Sequence, residues 1–301
     1  KIQLFSKSSA KVKEINSVRR NSLVFPNKIL HNNISASNDF KELKNFRFVF
    51  IAIPSFMIED FVNENKKYFA DDTIVINLSK GLISSNETIF DFLENALPNS
   101  SICTMKGPSF AVELLNGADT LFTFASKDSS FFKEIVLISN QTNLFFDFTK
   151  DVKSVEYLSV LKNIYAILIG FIDAKYNSAN TRFFILTKAF NEIIILLNIF
   201  NCKKDSINLS CGFGDLCLTS LNDLSRNRTF GLLMGKGFYH PNENNVIVEG
   251  KKAAVMILQS INESDADRLP LFFRVIDSFD SGKIDINFKD FMHQNNNWYK
   301  F

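Results

Sequence analysis

Residues 47–54 read RFVFIAIP and residues 73–79 read TIVINLS, two apolar runs that end at a proline or a polar residue. Runs of this kind are typical of central strands that helices cover on both faces. Three similar runs occupy residues 2–6, 101–105 and 120–125, and helical patterns separate them at residues 56–68, 87–97 and 110–115. This alternation predicts an α/β fold with a doubly wound, mostly parallel sheet.

The pattern changes after residue 150. Residues 151–170 repeat apolar side chains at every third or fourth position, which predicts a long helix, and residues 182–200 predict another. Two further helices are predicted at residues 226–235 and 248–260, and no strand is evident in this half. We therefore expect an α/β domain over residues 1–150 and an all-α domain over residues 151–301.

Composition excludes several classes of protein. The chain has 301 residues and a net charge of +2, which gives no electrostatic footprint for nucleic acid. Its most apolar stretch, residues 183–200, contains Lys188, Asn191 and Glu192, so we expect a buried helix and no stable membrane insertion. Four scattered cysteines indicate a reducing, cytoplasmic setting. The histidines, His31, His240 and His293, are too far apart in the sequence to suggest a metal site.

One segment carries most of the chemical signal. Residues 212–219 read GFGDLCLT and residues 225–228 read SRNR. A Gly-x-Gly turn brings the backbone close to a ligand and projects the Asp215 carboxylate. Ser225 is a good N-cap, which would place Arg226 and Asn227 in a first helical turn, where an anion is favoured. An ordinary capped helix with a solvated arginine would give the same pattern.

Two lysines form a second signal. Lys80 follows the strand at residues 73–79, and in such sheets ligands bind at the carboxyl ends of strands. Lys162 interrupts the apolar face of the helix predicted at residues 151–170. Such a lysine either extends its ammonium to solvent or is buried, and a buried amine of lowered pKa can act as a general base.

The other strand ends carry further candidates. Lys7 and Pro54 close two strands and are candidate cofactor contacts. The turn Gly107-Pro-Ser109 leads into a helix whose free N–H groups can hold a phosphate or hydroxyl, although it can equally be a plain connection.

These motifs occur in the order of one family. They are KG at 80–81, GPSFA at 107–111, KN at 162–163, GFGD at 212–215, Thr219, SRN at 225–227 and VEG at 248–250. From Leu4 to about residue 255 the chain resembles bacterial NAD(P)-dependent glycerol-3-phosphate dehydrogenases. The resemblance implies a Rossmann-like domain followed by a helical domain, and an enzyme that interconverts glycerol 3-phosphate and dihydroxyacetone phosphate for glycerophospholipid synthesis.

The resemblance also implies roles for individual residues. Lys162 would accept the proton of the C2 hydroxyl, with Asp215 and Thr219 close by, and Lys80 would touch both substrate and cofactor. Arg226 and Asn227 would hold the phosphate beside Ser225. The remaining implied contacts are Gly107 and Ser109 with the substrate, and Ala111, Arg226, Ile247 and Glu249 with the cofactor.

The sequence departs from the family at its start. Dinucleotide-binding folds begin with a strand and G-x-G-x-x-G, which this chain lacks. We expect that strand and loop to precede residue 1. A genuine loss would favour a non-catalytic relative that senses dinucleotide. A 3-hydroxyacid-type dehydrogenase is a further alternative, which the SRN motif disfavours because that motif suits a phosphate.

Cofactor choice depends on the end of the first strand. No acid follows it to bind a ribose 2′-hydroxyl, and Lys7 is a cation where a 2′-phosphate would lie. We therefore expect NADP(H), or both NADP(H) and NAD(H). The expected partner is a phosphorylated triose or polyol, and a homodimer remains open as the assembly.

Overall fold

The computed structural model describes residues 1–239, 248–284 and 286. Its strands are β1 Ile2–Phe5, β2 Ile34–Ser37, β3 Phe48–Ile51, β4 Ile74–Asn77, β5 Leu82–Ser84, β6 Glu87–Thr88, β7 Ser101–Lys106, β8 Thr120–Ser126 and β9 Leu144–Thr149. Its helices are α1 Ser9–Val18, α2 Ile58–Asn65, α3 Ile89–Ala96, α4 Ala111–Leu115, α5 Ser130–Ile138, α6 Val152–Tyr176, α7 Ala179–Ile199, α8 Asp215–Leu221, α9 Arg226–Gly235, α10 Glu249–Leu258, α11 Glu263–Ala266 and α12 Pro270–Ser281.

The main sheet of the described chain has five strands in the order β3-β4-β7-β8-β9. All neighbours are parallel except β7 and β8, which the short helix α4 connects as an antiparallel pair. Strands β1 and β2 form a separate parallel pair. Because β1, β3, β4 and β7 each precede a candidate site residue, their carboxyl ends define where the site can lie.

Both faces of the main sheet are covered, as expected of a doubly wound fold. Alternate residues of β4 face opposite sides: Val75 belongs to the large core with α2, α3 and α6, whereas Ile74 and Ile76 belong to a smaller core under α5. The period-2 alternation explains why the strand is apolar throughout.

Helix α6 is the centre of the helical half, and glycines bring α9 against it. A Cβ at Gly170 would lie 2.1 Å from the carbonyl oxygen of Arg228, and a Cβ at Gly231 would lie 1.9 Å from that of Ile167. Only glycine permits so close an approach. Among the described residues, α6 alone is long and apolar enough to cross a membrane, but its apolar window is entirely buried within the protein, as in a core helix.

The structure corrects several predicted elements. The helix expected at residues 56–68 is an α-helix only at Ile58–Asn65, with a 3₁₀ turn at each end. Residues 87 and 88 pair with β5 as a short strand, and α3 begins only at Ile89 because Thr88 is its N-cap. The patterns missed β2, β5, β9, α1, α5, α8, α11 and α12.

Candidate active site

Lys162 is buried and contacts a carboxylate. Its side chain is 4% exposed and its Nζ pairs with Asp215 Oδ1. The same Nζ donates to Thr219 Oγ1 at 3.0 Å, and the Thr219 hydroxyl donates to Asp215 Oδ1 at 3.3 Å. The choice left open by the sequence, between a solvent-reaching lysine and a buried one, is therefore decided for burial.

Lys80 shares the same carboxylate. Its Nζ lies 3.2 Å from Asp215 Oδ2, so one carboxylate contacts both lysine nitrogens. Burial and the nearby charge of Lys80 lower the pKa of Lys162 to about 7, against the opposing charge of Asp215. Burial also disfavours the charge of Lys80, but Asp215 and the hydrogen bond to Lys162 outweigh it and raise the pKa of Lys80. The two pKa values are pushed apart, which suits a neutral base beside a permanent cation.

A π-helical turn, Ser210–Gly214, delivers Asp215 to this position. A Cβ at Gly212 would lie 2.2 Å from the carbonyl oxygen of Ile207, so the turn requires glycine there. Thr123 fastens the turn to β8, because its Oγ1 lies 2.9 Å from Ser210 Oγ and accepts the backbone N–H of Cys211.

Two turns of the sheet edge border the cluster. A Cβ at Gly214 would touch Pro108 at 3.5 Å, which places the Gly107–Ser109 turn beside the π-helical turn. Ser109 Oγ donates to the carbonyl oxygen of Gly107 at 3.3 Å. On the other side, a Cβ at Gly81 would lie 2.4 Å from Ser55 Oγ, so the ends of β3 and β4 are adjacent.

The predicted phosphate residues lie at the start of α9. Ser225 is its N-cap and accepts the backbone N–H of Arg228 at 3.3 Å. Asn227 is buried, and its Oδ1 accepts the backbone N–H of Gly250 at 3.1 Å. Arg226 is 82% exposed and pairs with Glu249 at 3.1 Å.

Gly250 joins this group to the lysine cluster. A Cβ at Gly250 would lie 2.6 Å from the carbonyl oxygen of Asn163, the residue after Lys162. The charge of Glu249 also contributes to raising the pKa of Lys80. The start of α9 and the start of α10 therefore lie beside the lysine cluster.

Lys7, Pro54, Ala111 and Ile247 are the remaining candidates. Lys7 is more than half exposed and pairs with Glu64 of α2 at 3.0 Å. Pro54 precedes a 3₁₀ turn and accepts the backbone N–H of Met57, and Ala111 is the exposed first residue of α4. Ile247, like His240 and His293, lies outside the described residues.

The patterns missed a buried pair beneath the cluster. Lys106, the last residue of β7, pairs with Glu156 of α6 at 3.2 Å, and both side chains are fully buried. The only available signal was a charged residue at the end of an apolar strand and another within an apolar helix.

Comparison with known proteins identifies the family. A family model described as the NAD-dependent glycerol-3-phosphate dehydrogenase N-terminus matches residues 1–132, and one described as the C-terminus matches residues 151–284. The chain belongs to the NAD-dependent glycerol-3-phosphate dehydrogenase family. Its fold class and the resemblance inferred from the motifs are thereby confirmed.

Individual glycerol-3-phosphate dehydrogenases are similar to this chain in sequence and in structure. A curated glycerol-3-phosphate dehydrogenase of the NAD(P)+ type from Methanothermobacter thermautotrophicus is 30% identical over 84% of this chain and 78% of its own length. One from Orientia tsutsugamushi is 28% identical over 85% of this chain and 80% of its own. The crystal structure of the Coxiella burnetii glycerol-3-phosphate dehydrogenase superposes with a TM-score of 0.84 at 26% identity, and covers 94% of this chain and 88% of that chain.

Proposed function

We propose that this chain interconverts sn-glycerol 3-phosphate and dihydroxyacetone phosphate with an NAD(P) cofactor, and so supplies glycerol 3-phosphate for glycerophospholipid synthesis. One observation carries the proposal: two lysines share Asp215 at the carboxyl edge of the sheet, in a chain of this dehydrogenase family. A carbonyl reduction needs a proton donor and a cation at the carbonyl oxygen, and this cluster supplies both.

Lys162 moves the proton in the proposed reaction. As a neutral amine it takes the proton from the C2 hydroxyl of glycerol 3-phosphate, and as an ammonium it returns a proton to the C2 oxygen in the reverse direction. A pKa of about 7 lets both forms exist near neutral pH. Thr219 and Asp215 hold the amine in place through the contacts described above.

Lys80 stays positively charged while Lys162 titrates. Its raised pKa keeps an ammonium beside the C2 oxygen, where negative charge develops in the transition state. The Asp215 carboxylate balances the charge of Lys80 and holds the nitrogens of Lys80 and Lys162 close together.

The phosphate of the substrate is assigned to the start of α9. Arg226 provides a forked donor, and the backbone N–H groups of the first turn add a favourable dipole. Glu249 pairs with Arg226, and a phosphate would compete for the same guanidinium. Asn227 and Ser225 keep the turn in shape through their bonds to Gly250 and Arg228.

The side chains at the sheet edge fit an anionic dinucleotide. Lys7 and Lys80 are cations at strand ends and Arg226 is a cation at the start of α9. The exposed Lys7 and Arg226 pair with surface carboxylates that a phosphate can replace. Pro54, Ala111, Ile247 and Glu249 are the other proposed cofactor contacts. A bound nicotinamide supplies or accepts the hydride at C2 of the substrate.

The proposal divides the chain by task. Residues 1–150 would bind the dinucleotide and residues 151–301 would carry the proton-transfer and phosphate groups, with Gly107 and Ser109 lining the substrate site. We place the enzyme in the cytoplasm, where its small phosphorylated substrate is found, and a homodimer is the assembly to test.

Comparing the turnover of two substrates tests the proposal. Purified full-length protein is given NADPH or NADH with dihydroxyacetone phosphate or with a short-chain 3-oxoacid, and cofactor oxidation is followed. We expect turnover of dihydroxyacetone phosphate and little of the 3-oxoacid. Preference for the 3-oxoacid would favour the alternative dehydrogenase, and no turnover of either would favour the non-catalytic relative.

A further inference from the structure

Lys106 is the most completely buried cation of the described chain, with a side chain that is 0% exposed. Its Nζ donates to the carbonyl oxygens of Asn77 and Ser79 and pairs with Glu156 Oε1 at 3.2 Å. A lysine ammonium has three N–H donors. Each N–H donor of Lys106 therefore has an acceptor: two are carbonyl oxygens and the third is the carboxylate.

Glu156 is equally well satisfied. Its carboxylate accepts Asn77 Nδ2 at 2.9 Å and the hydroxyl of Thr104, in addition to Lys106. Burial lowers the pKa of Lys106 to about 8, and Glu156 opposes that shift. Lys106 is thus still largely protonated near neutral pH, although burying an ion pair is costly and apolar residues of similar volume often stabilise a protein at least as well.

The pair contacts the backbone directly before Lys80. The Ser79 carbonyl belongs to the peptide bond that leads into Lys80, so the Lys106 ammonium grips the backbone directly before that residue. The Ser79 N–H is held in turn by Asn77 Oδ1 at 2.9 Å. Glu156 stands on α6, six positions before Lys162.

We propose that Lys106 is a positioning residue that fixes Lys80 over Asp215. Lys106 holds the peptide bond in front of Lys80, and Glu156 ties that hold to the helix that carries Lys162. Lys80 and Lys162, which lie on elements distant in sequence, are thereby held in fixed positions relative to each other. This inference rests on the proposed function, which assigns Lys80 and Lys162 their tasks.

The double variant Lys106→Met/Glu156→Gln separates positioning from charge balance. Lys106→Met alone leaves the buried Glu156 without its cation, so a loss of stability is expected. The double variant removes both charges, and we expect it to fold and to regain most of the melting temperature. Because the grip on the Ser79 carbonyl is still missing, kcat/KM for glycerol 3-phosphate should remain about tenfold or more below wild type, a loss equivalent to about 1.4 kcal/mol.

The pH profile gives a readout that stability does not move. If Lys80 drifts away, its charge no longer lowers the pKa of Lys162, so the midpoint of kcat/KM for oxidation should rise in the double variant. Glu192→Gln is the matched control. Glu192 is also fully buried, but it lies on α7 and accepts backbone N–H groups at the start of α12. This variant should lower the melting temperature and leave both kcat/KM and the midpoint unchanged.

Three results would overturn the inference: a double variant with wild-type kcat/KM, one with an unmoved midpoint, or one that does not fold. If the wild-type protein itself shows no turnover, the proposed function fails, and a crystal structure of the double variant then decides. Loss of the contact between Lys80 and Asp215 would support the positioning role, and persistence of that contact would overturn it.

Discussion

The ammonium of Lys80 lies 3.2 Å from Asp215 Oδ2, on the carboxylate whose other oxygen contacts Lys162. Two lysines that share one carboxylate affect each other's protonation. Lys80 lowers the pKa of Lys162, and Asp215 raises it. The site therefore contains two neighbouring charges with opposite effects on the proposed base.

Replacing these two neighbours should move the pH profile in opposite directions. Oxidation of glycerol 3-phosphate needs neutral Lys162, so kcat/KM should rise with pH through a midpoint near the Lys162 pKa of about 7. Lys80→Met removes the charge that lowers this pKa, so the midpoint should rise. Asp215→Asn removes the charge that raises it, so the midpoint should fall.

Each shift should reach about one pH unit or more, because a charge a few ångströms away in a protein interior is worth several kcal/mol and one pKa unit is about 1.4 kcal/mol. Both variants will also be slower, so the midpoint is the informative quantity. Midpoints that move together, or that stay in place, would contradict the assignment of Lys162 as the titrating group.

Arg226→Ala tests the phosphate site. Loss of a charge-assisted contact of about 1.5–3 kcal/mol should raise KM for dihydroxyacetone phosphate about tenfold or more. Turnover of unphosphorylated dihydroxyacetone should change little. Arg268→Ala is the control, because Arg268 is also exposed and paired with a carboxylate, Asp265, but lies outside the site. An equal loss with both substrates would remove Arg226 from the phosphate site.

Lys7→Asp tests cofactor preference. The substitution places a carboxylate where a 2′-phosphate would lie and also repels Glu64, the present partner of Lys7. Measured on the full-length chain, the ratio of kcat/KM for NADPH to that for NADH should fall about tenfold or more. Lys127→Asp serves as control, since Lys127 is also an exposed lysine paired with a glutamate, Glu94. It follows β8, and because β8 runs antiparallel to β7, its carboxyl end lies at the opposite edge of the sheet from the site. A wild type that prefers NADH, together with an unchanged ratio in the variant, would make Lys7 a solvated strand end.

Glu192→Gln tests what fastens α12 to the helical half. The carboxylate of Glu192 accepts the backbone N–H groups of Leu271 and Phe272 at 2.6 and 2.8 Å, and the Tyr165 hydroxyl at 2.8 Å. Burial raises the pKa of Glu192 to about 8, so the comparison is made above that pH, where both of its oxygens are acceptors. There a glutamine turns one acceptor into a donor, so one buried N–H group loses its partner. The free energy of unfolding in urea should fall by about 1–3 kcal/mol.

Glu94 is partly buried and pairs with the exposed Lys127. Glu94→Gln should cost at most about 1 kcal/mol in the same urea experiment, because ion pairs at the surface contribute little. Equal effects of Glu94→Gln and Glu192→Gln would show that Glu192 does not secure α12.

The sequence allowed the fold class and most of the cluster to be predicted. Continuous apolar runs marked β3 and β4 because those strands are covered on both faces, and Gly212-x-Gly-Asp215 marked the turn because only glycine fits against Ile207. Short strands such as β2, with the sequence ISAS, carry too little apolar pattern to be distinguished from a loop.

Other features depend on contacts between distant segments. Whether Lys162 was buried could not be decided from α6 alone, because its surroundings come from α8 and the end of β4. The Lys106–Glu156 pair depends on the register of β7 beside β4, in which Thr104 stands opposite Asn77. No local pattern encodes such a register between strands that are far apart in the chain.

The account depends most on Lys162, and one measurement addresses it directly. Steady-state oxidation of glycerol 3-phosphate is compared in wild type and Lys162→Ala, with dinucleotide binding measured separately by fluorescence. We predict that kcat falls by a factor of about 10²–10⁴ while dinucleotide affinity is unchanged, since the variant loses only the group that accepts the proton. Near-normal turnover by Lys162→Ala would contradict the account and leave Lys162 as a buried structural partner of Asp215.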